Sequence, residues 1–512
     1  MVAKRFSFTL AFLGASLGSA SAQELMKPLS AIDWLSDTVV APDTLAPTPA
    51  PDDGIAGQLP PNVNVLSLDA PLPDEVGVIK PVDLGLPADL WAQAPASDIA
   101  AELSALPTEL PPSASRFLRD LLMMKAEAPI DARVDDSLYF ARIDKLLAIG
   151  HLEDAQTLID LAPRQDDPRL FRRTFDIALL TGQEGEGCRI LDDNPDILPT
   201  FPARIFCLAR NGKWDVAALT LGTAESLGYL TPEEDALLLK FLDPELFEED
   251  PVPTPTGVPS PLIFRLYDAI GERLATEPLP IAFAEADLRP TVGWKAQLRA
   301  AERLTSTGAM TADAFFDKLF ERAPAASGGI WDRVDALQKA DTALQDRGEV
   351  SNSLAKGWTA AKMSGVQAAI APRWADELSR LRLDGPSRHA AFEIAVLASR
   401  PDLAERFVGR SLEDRALLNL LTGQEAILPT QDALSRAVRI GLTQIRPSDH
   451  LQFVIETRGA GGAILSALRL IAEGRAGDPN AVSDALTLLK ALGLEDLARQ
   501  TAVELLLEDQ SA

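Results

Sequence analysis

The chain has 512 residues, 46% of them hydrophobic and 24% charged, with a formal net charge of −27 at pH 7. That much acid tells against nucleic acid and anionic membrane surfaces as partners, since both select clustered Lys and Arg. The length allows two or three domains.

Residues 1–22 read as a secretory signal. Lys4 and Arg5 precede a short apolar run from Phe6 to Leu17, and Ala20-Ser21-Ala22 is a small-x-small cleavage site. The expected mature chain starts at Gln23, carries no Cys at the cleavage point for a lipid anchor, and has a charge of −29 once Lys4 and Arg5 are lost. No later apolar run reaches the roughly 20 residues of a membrane helix. The expected location is therefore periplasmic or secreted, with no membrane insertion after cleavage.

Residues 23–112 read as a Pro- and Ala-rich arm, mostly disordered with a few anchored points. Ile32, Leu35 and Val39 share a helical face near its start, ready to dock on the body or on a partner. Ala41–Pro51 is linker-like, and Val63–Leu68 fits one short strand. Trp91 stands in an irregular stretch, which points to docking in a groove.

Helical patterning begins near Ser113. Three glycines, Gly150, Gly182 and Gly212, are spaced 32 and 30 residues apart, and each closes one amphipathic run and precedes another. A helix–Gly turn–helix unit recurring at this spacing marks a helical repeat array. Predicted helices cover Arg116–Ala126, Ser137–Ile149 and Leu152–Leu161, and Trp214, Ala217, Ala218 and Leu221 form a stripe on a further one. Thr231-Pro-Glu-Glu-Asp235 is a helix start, with Thr as N-cap and acids in the first turn.

Residues 243–261 hold six prolines in 19 positions and read as a linker between a first helical block, 113–242, and a second, 262–512. The second block contains predicted helices at Trp294–Thr305, Thr311–Arg322, Trp331–Arg347, Val366–Arg382, Arg388–Ser399, Asp449–Thr457, Ala463–Glu473 and Ala481–Leu507. Leu420–Glu425 repeats Leu179–Glu184 letter for letter, and Leu489–Leu497 echoes Leu147–Ala155, which adds Gly423 and Gly493 to the repeat-turn glycines. The fold class is all-α, an α-solenoid of helical hairpins with a Pro-rich arm. No strand series follows Ser113, so alternating β/α folds are not expected.

The two cysteines, Cys188 and Cys207, lie 19 residues apart on consecutive predicted helices. Export permits a disulfide, and antiparallel neighbours can bring Cα atoms within about 4.4–6.8 Å. The alternative is two small residues packed between helices.

A search for chemistry returns little. No P-loop, dinucleotide fingerprint or His-Glu-x-x-His is present, and the one Gly-x-Ser-x-Gly lies in the signal. His151, His389 and His450 are far apart and read as solvated or capping residues. Asp192, Asn194 and Asp196 match the start of a calcium loop, but Ile197 replaces its glycine and Ala203 its final Glu. Gly459–Gly462 reads as a tight interhelical turn rather than an anion cradle. No catalytic residue, cofactor or metal site is expected.

The hairpins resemble tetratricopeptide or Sel1-like repeats, best at Asn211-Gly-Lys-Trp-Asp-Val-Ala-Ala218, though with a shorter period than 34 residues. Pro28–Leu35 and Glu321–Asp332 resemble segments of a family of uncharacterised exported bacterial proteins, some labelled antifreeze glycopeptide. Ala41–Pro51 mimics Ala/Thr/Pro repeats in composition only, and no regular Thr array follows. Soluble lytic transglycosylases also use a periplasmic superhelix, joined to a lysozyme-like domain with a catalytic Glu-Ser. Here Glu225-Ser226 lies inside the repeats. The expected function is a scaffold or adaptor for other envelope proteins, with basic partners favoured. The alternative is a cell-wall glycan-processing enzyme or its accessory.

Overall fold

The computed structural model describes residues 32–36, 38–39 and 72–509, apart from short stretches at 164–166, 195–196, 248–250, 256, 325–327, 347–348 and 429–431. The expected signal and residues 40–71 lie outside the described residues. Among those described, the chain is all-α. Two isolated bridges, Val39 with Pro199 and Ile79 with Met124, are its only β pairings.

The elements follow in order. The first group is α1 (Ala96–Ala105), α2 (Pro112–Leu122), α3 (Ser137–Ala148), α4 (Leu152–Asp160), α5 (Pro168–Thr181) and α6 (Glu184–Asp193). Next come α7 (Phe201–Arg210), α8 (Trp214–Leu227), α9 (Pro232–Leu242) and α10 (Pro261–Ala269). A 3-10 stretch, Ile281–Leu288, precedes α11 (Trp294–Thr307), α12 (Ala312–Phe320), α13 (Ile330–Asp346), α14 (Val350–Met363) and α15 (Gln367–Leu378). The last group is α16 (Gly385–Leu397), α17 (Pro401–Phe407), α18 (Leu412–Leu421), α19 (Ala433–Thr443), α20 (Asp449–Arg475), α21 (Pro479–Ala491) and α22 (Glu495–Asp509).

Sequential helices pair into hairpins, the packing of an α-solenoid. The turn glycines Gly150, Gly182, Gly212, Gly423 and Gly493 all have φ between 71° and 88°. At Gly150 and Gly182 a second demand acts. A Cβ there would sit 3.1 Å from the side chains of Ile281 and Arg289 respectively, so the turns also serve as contact points for the next layer. At α9, Thr231 Oγ1 accepts from the Glu234 N–H (3.2 Å) while Glu234 accepts from the Thr231 N–H (2.9 Å), a capping box. Cys188 on α6 and Cys207 on α7 are joined as a disulfide, with Cα atoms 5.2 Å apart.

Two differences from the sequence reading bear on how the chain is divided. First, the arm is ordered from residue 72 onward. Its α1 buries Ile99 and Leu103, and Leu90 and Trp91 join the main core. Second, the Pro-rich stretch at 243–261 does not separate two cores. α10, which follows it, packs on α5 and α9 and gives Leu262, Leu266 and Tyr267 to the cluster built by α5–α9. Tyr267 also donates to the Pro253 carbonyl (2.7 Å), so the stretch is folded back. The helices expected at Asp449–Thr457 and Ala463–Glu473 are both present, meeting at the expected turn within α20, where Gly459 has non-helical backbone (φ 66°, ψ −176°).

The N-terminal segment is a strap. Trp34 and Leu35 enter the main core and Val39 enters the smaller one. Trp34 meets Phe283 edge-to-face at 5.4 Å. The Ser36 N–H donates to Asp176 (2.9 Å), Arg172 donates to the Leu35 carbonyl (2.6 Å), and the Thr200 N–H donates to the Thr38 carbonyl (2.9 Å).

The solenoid also closes on itself. α2 touches α3 on one side and α20 and α22 on the other. Glu504 on α22 accepts from the Ser113 backbone (2.8 Å) and hydroxyl (2.6 Å) at the start of α2. Beside it, Trp91 lies against Gly461, where a Cβ would come within 2.7 Å of the indole. The Gly-rich turn of α20 is thus the seat of the arm's tryptophan.

Two outcomes are expected. Trp91→Ala should cost about 3–5 kcal/mol in urea unfolding, the range for an emptied aromatic site. An unchanged midpoint would show that the arm does not support the closure. Replacing Cys188 and Cys207 with Ser should cost about 3 kcal/mol for a loop of this size, measured the same way, and a loss near zero would refute it.

Candidate functional site

Three hairpin turns converge beside α2. The α3–α4 turn brings Gly150, His151, Glu153 and Asp154. The α11–α12 turn brings Thr305 to Ala314. The α14–α15 turn brings Gly365, Ala368 and Ala369. With Pro112, Arg116 and Arg119 of α2, and Glu285 of the 3-10 stretch, they enclose a cavity of about 580 Å³. Cavities of about 390 and 830 Å³ adjoin it, sharing Pro112 and Gly365. The volumes are those of small-molecule sites.

The turn geometry places the chemistry. His151 precedes α4, and its Nδ1 lies 2.9 Å from Asp154 three residues on. Arg119 grips the same carboxylate with two parallel bonds of 2.7 and 2.8 Å. Against a burial penalty, the hydrogen bonds from His151 and Arg119 hold Asp154 well below the usual carboxylate range. Glu285 is the reverse case. Burial, with Glu153 nearby, pushes it up to about 7. Two carboxyls of one cavity are thus driven apart, one fixed as an anion and one neutral up to near pH 7.

The residues singled out in the sequence fall in different places. Of the histidines, His151 lines this cavity, His389 pairs with Glu393 on α16 (3.2 Å), and His450 is exposed on α20. Asp192 bonds Asn211 (2.8 Å) as a surface partner of the α7–α8 turn, while Asp196 lies outside the described residues. Glu225 and Ser226 are exposed on α8, and the Ser226 hydroxyl returns to the Gly222 carbonyl (2.7 Å). Among the described residues no group of His, Cys, Asp or Glu is arranged to hold a metal, and no helix is long and apolar enough to cross a membrane. Sequence reasoning missed Glu285. Its one signal is a lone acid in the Ala/Phe-rich run Ile281-Ala-Phe-Ala-Glu-Ala.

A second surface stands out on α8. Ala217, Leu221 and Ala224 face inward, yet Val216, Leu219 and Leu227 on the opposite face are also apolar, with Leu219 73% exposed. Thr220 and Thr223 between them turn their hydroxyls back onto the carbonyls of Val216 and Leu219 (2.7 and 2.8 Å). Their methyl groups are left to extend the apolar stripe. Trp214 and Tyr229 flank it, both about half exposed or more.

A scan of protein-family models finds none that matches the chain, and searches of curated proteins and of solved structures return no match either.

Buried carboxyls give the molecule a pH signature. Asp74, Asp176, Glu285 and Glu504 are each raised to about 7, burial being the first cause in every case. A carboxyl raised on folding holds its proton more tightly in the folded state. Its stabilising contribution is therefore complete below the ordinary value near 4 and is lost as pH rises through about 7. The melting temperature should fall between about pH 4 and about pH 7 on this account, and Glu504→Gln should flatten part of that fall. A melting temperature that rises across this window would contradict the assignment.

Proposed function

We propose that the chain is a helical-repeat scaffold or adaptor of the cell envelope, periplasmic or secreted, which binds another protein and performs no catalysis. The observation that carries this reading is the outward face of α8. An apolar side of a helix is normally buried, and here the second apolar side has no covering element among the described residues. Exposed contiguous apolar surface flanked by aromatics is the usual composition of a protein-binding centre. The charge of −27 favours a basic partner and adds a long-range attraction that salt screens within about 10 Å at 0.1 M.

The glycan-processing alternative draws on the central cavity, where Glu285 has the protonation expected of a general acid. Its natural second carboxylate, Asp154, has both oxygens held by Arg119 and His151. No Phe, Tyr or Trp lines the cavity to stack on a sugar. Those two facts count against the glycan-processing alternative.

The test is affinity capture from envelope extract with wild-type protein and with a Leu219→Asp, Leu227→Asp double variant. The expected result is a defined partner that is captured by the wild type and lost by the variant, with circular dichroism unchanged. Capture should weaken as salt is raised. Equal capture by both proteins would overturn the role of α8. Turnover of purified glycan strands, abolished by Glu285→Gln, would move the protein into the enzyme class.

A further inference from the structure

The strap belongs to no helix, and the groups that hold it are scattered along the chain. The Ser36 N–H donates to Asp176 on α5, and its hydroxyl oxygen accepts from the Leu262 N–H at the start of α10 (3.3 Å). Leu35 is held through its carbonyl by Arg172, and Thr38 through its carbonyl by the Thr200 N–H ahead of α7. Trp34, Leu35 and Val39 are its buried apolar anchors. Their burial is of the same order as the entropy lost in fixing so short a segment, so the seat stands near balance. Only residues 40–71 join the strap to the next described residue, Leu72, so its departure displaces no helix.

A second observation concerns the polar atoms at the contact. Thr38 is fully buried, and its hydroxyl has no hydrogen-bond partner among the described residues. One carboxyl oxygen of Asp176, also fully buried, is likewise without one. One of these atoms belongs to the strap and the other to its seat. Each is a desolvation cost that water removes when the strap leaves.

The seat itself has a recognisable design. Arg172, Asp176 and the Thr200 N–H all address the strap's main chain, at the Leu35 carbonyl, the Ser36 N–H and the Thr38 carbonyl. Trp34, against Phe283, and Leu35 and Val39 fill apolar sites between them. Main-chain hydrogen bonds that hold, with sockets that select, are how grooves bind extended peptides. We propose that the strap is a releasable occupant of this groove, leaving and reseating while the helices stay folded, so that a seat for an extended Trp-Leu-Ser segment stands open for part of the time. This device is separate from the outward face of α8 and does not depend on the scaffold reading.

The test is thiol labelling of the full chain with iodoacetamide under native conditions. Both cysteines are in the disulfide, so one introduced thiol reports one place. Ser36→Cys, a near-isosteric change, reports the strap, and Ser387→Cys, 1% exposed on α16, reports opening of the body. Labelling at the first should be about a hundredfold faster than at the second. It should also respond little to low urea, which speeds the second steeply, because local release exposes little surface. Thr38→Val removes the unpartnered hydroxyl and should slow labelling of the Ser36→Cys chain about fivefold. Equal rates at the two positions, or a strap rate untouched by Thr38→Val, overturns the release. The groove is tested with a fluorescent synthetic peptide of residues 30–41. It should bind the Trp34→Ala chain, whose own strap competes weakly, at least about tenfold more tightly than it binds the wild type. Should Trp34→Ala fail to fold, Leu35→Ala takes its place. No saturable binding to a folded strap variant overturns the groove.

Discussion

The contact on which the rest depends is the carboxyl of Glu504 against the first turn of α2. Solenoids ordinarily leave both ends open and cap them with polar repeats. Here the last helix, α22, caps the start of the second, α2. Glu504, 3% exposed, takes both the backbone and hydroxyl protons of Ser113, and Thr501 joins the same hydroxyl at 3.0 Å. The N-terminus of α2 offers unpaired N–H groups, so a carboxyl oxygen from the far end of the chain is a natural acceptor there, even though burial raises the pKa of Glu504 to about 7. Arg458 with Glu102 (3.0 Å) and Trp91 with Gly461 extend the joint along α1 and α20. Once α2 is held between both ends, the hairpin turns of three other pairs are brought beside it, and the central cavities are the space left between them.

Inside the joint, Arg142 holds the arm. Its guanidinium donates to the carbonyls of Leu122, Asp74, Val76 and Met124, at 2.7 to 2.9 Å. Two of those carbonyls end α2 and two belong to the arm. One buried cation thus fixes the direction in which the chain enters the core, without a close carboxylate partner. Lys145 acts similarly one turn later, donating to the Leu106 carbonyl (2.6 Å) at the end of α1. Burial lowers its pKa to about 8. Buried charges tolerated on backbone acceptors show how strongly the surrounding apolar packing determines this region.

What the sequence made legible was the part governed by local rules. Turn glycines need positive φ, capping needs Thr and Glu three apart, and amphipathic stripes need a period of 3.6, and all three can be read within one helix. α14 was missed because its start, Val350-Ser-Asn-Ser, carries no strong stripe, and its close packing depends on Gly357 meeting Ala340 of α13. α1 was missed because proline density upstream outweighed the short run Ile99, Leu103. Trp91 could be flagged as an anchor, yet its seat at Gly459–Gly462 lies far along the chain and read as a bare turn. The cavity followed the same division. His151 and Asp154 are neighbours in sequence, whereas Glu285 reaches them only through tertiary packing.

The strap and the joint also set a timetable. Ser36 waits for Asp176, 140 residues later, and for Leu262, 226 residues later, while Ser113 waits for Glu504, 391 residues later. The hairpins between them need only neighbours. As the chain emerges from a ribosome at about 5–20 residues per second, helical pairs can form almost at once. The strap's groove, however, is incomplete for roughly ten to fifty seconds at that rate. During that interval Trp34 and Leu35 are uncovered apolar groups at the leading end of a growing polypeptide, the kind of surface that chaperones hold. Contacts between neighbouring helices can close early, whereas those of Ser36 and Ser113 need partners 140 to 391 residues further along the chain.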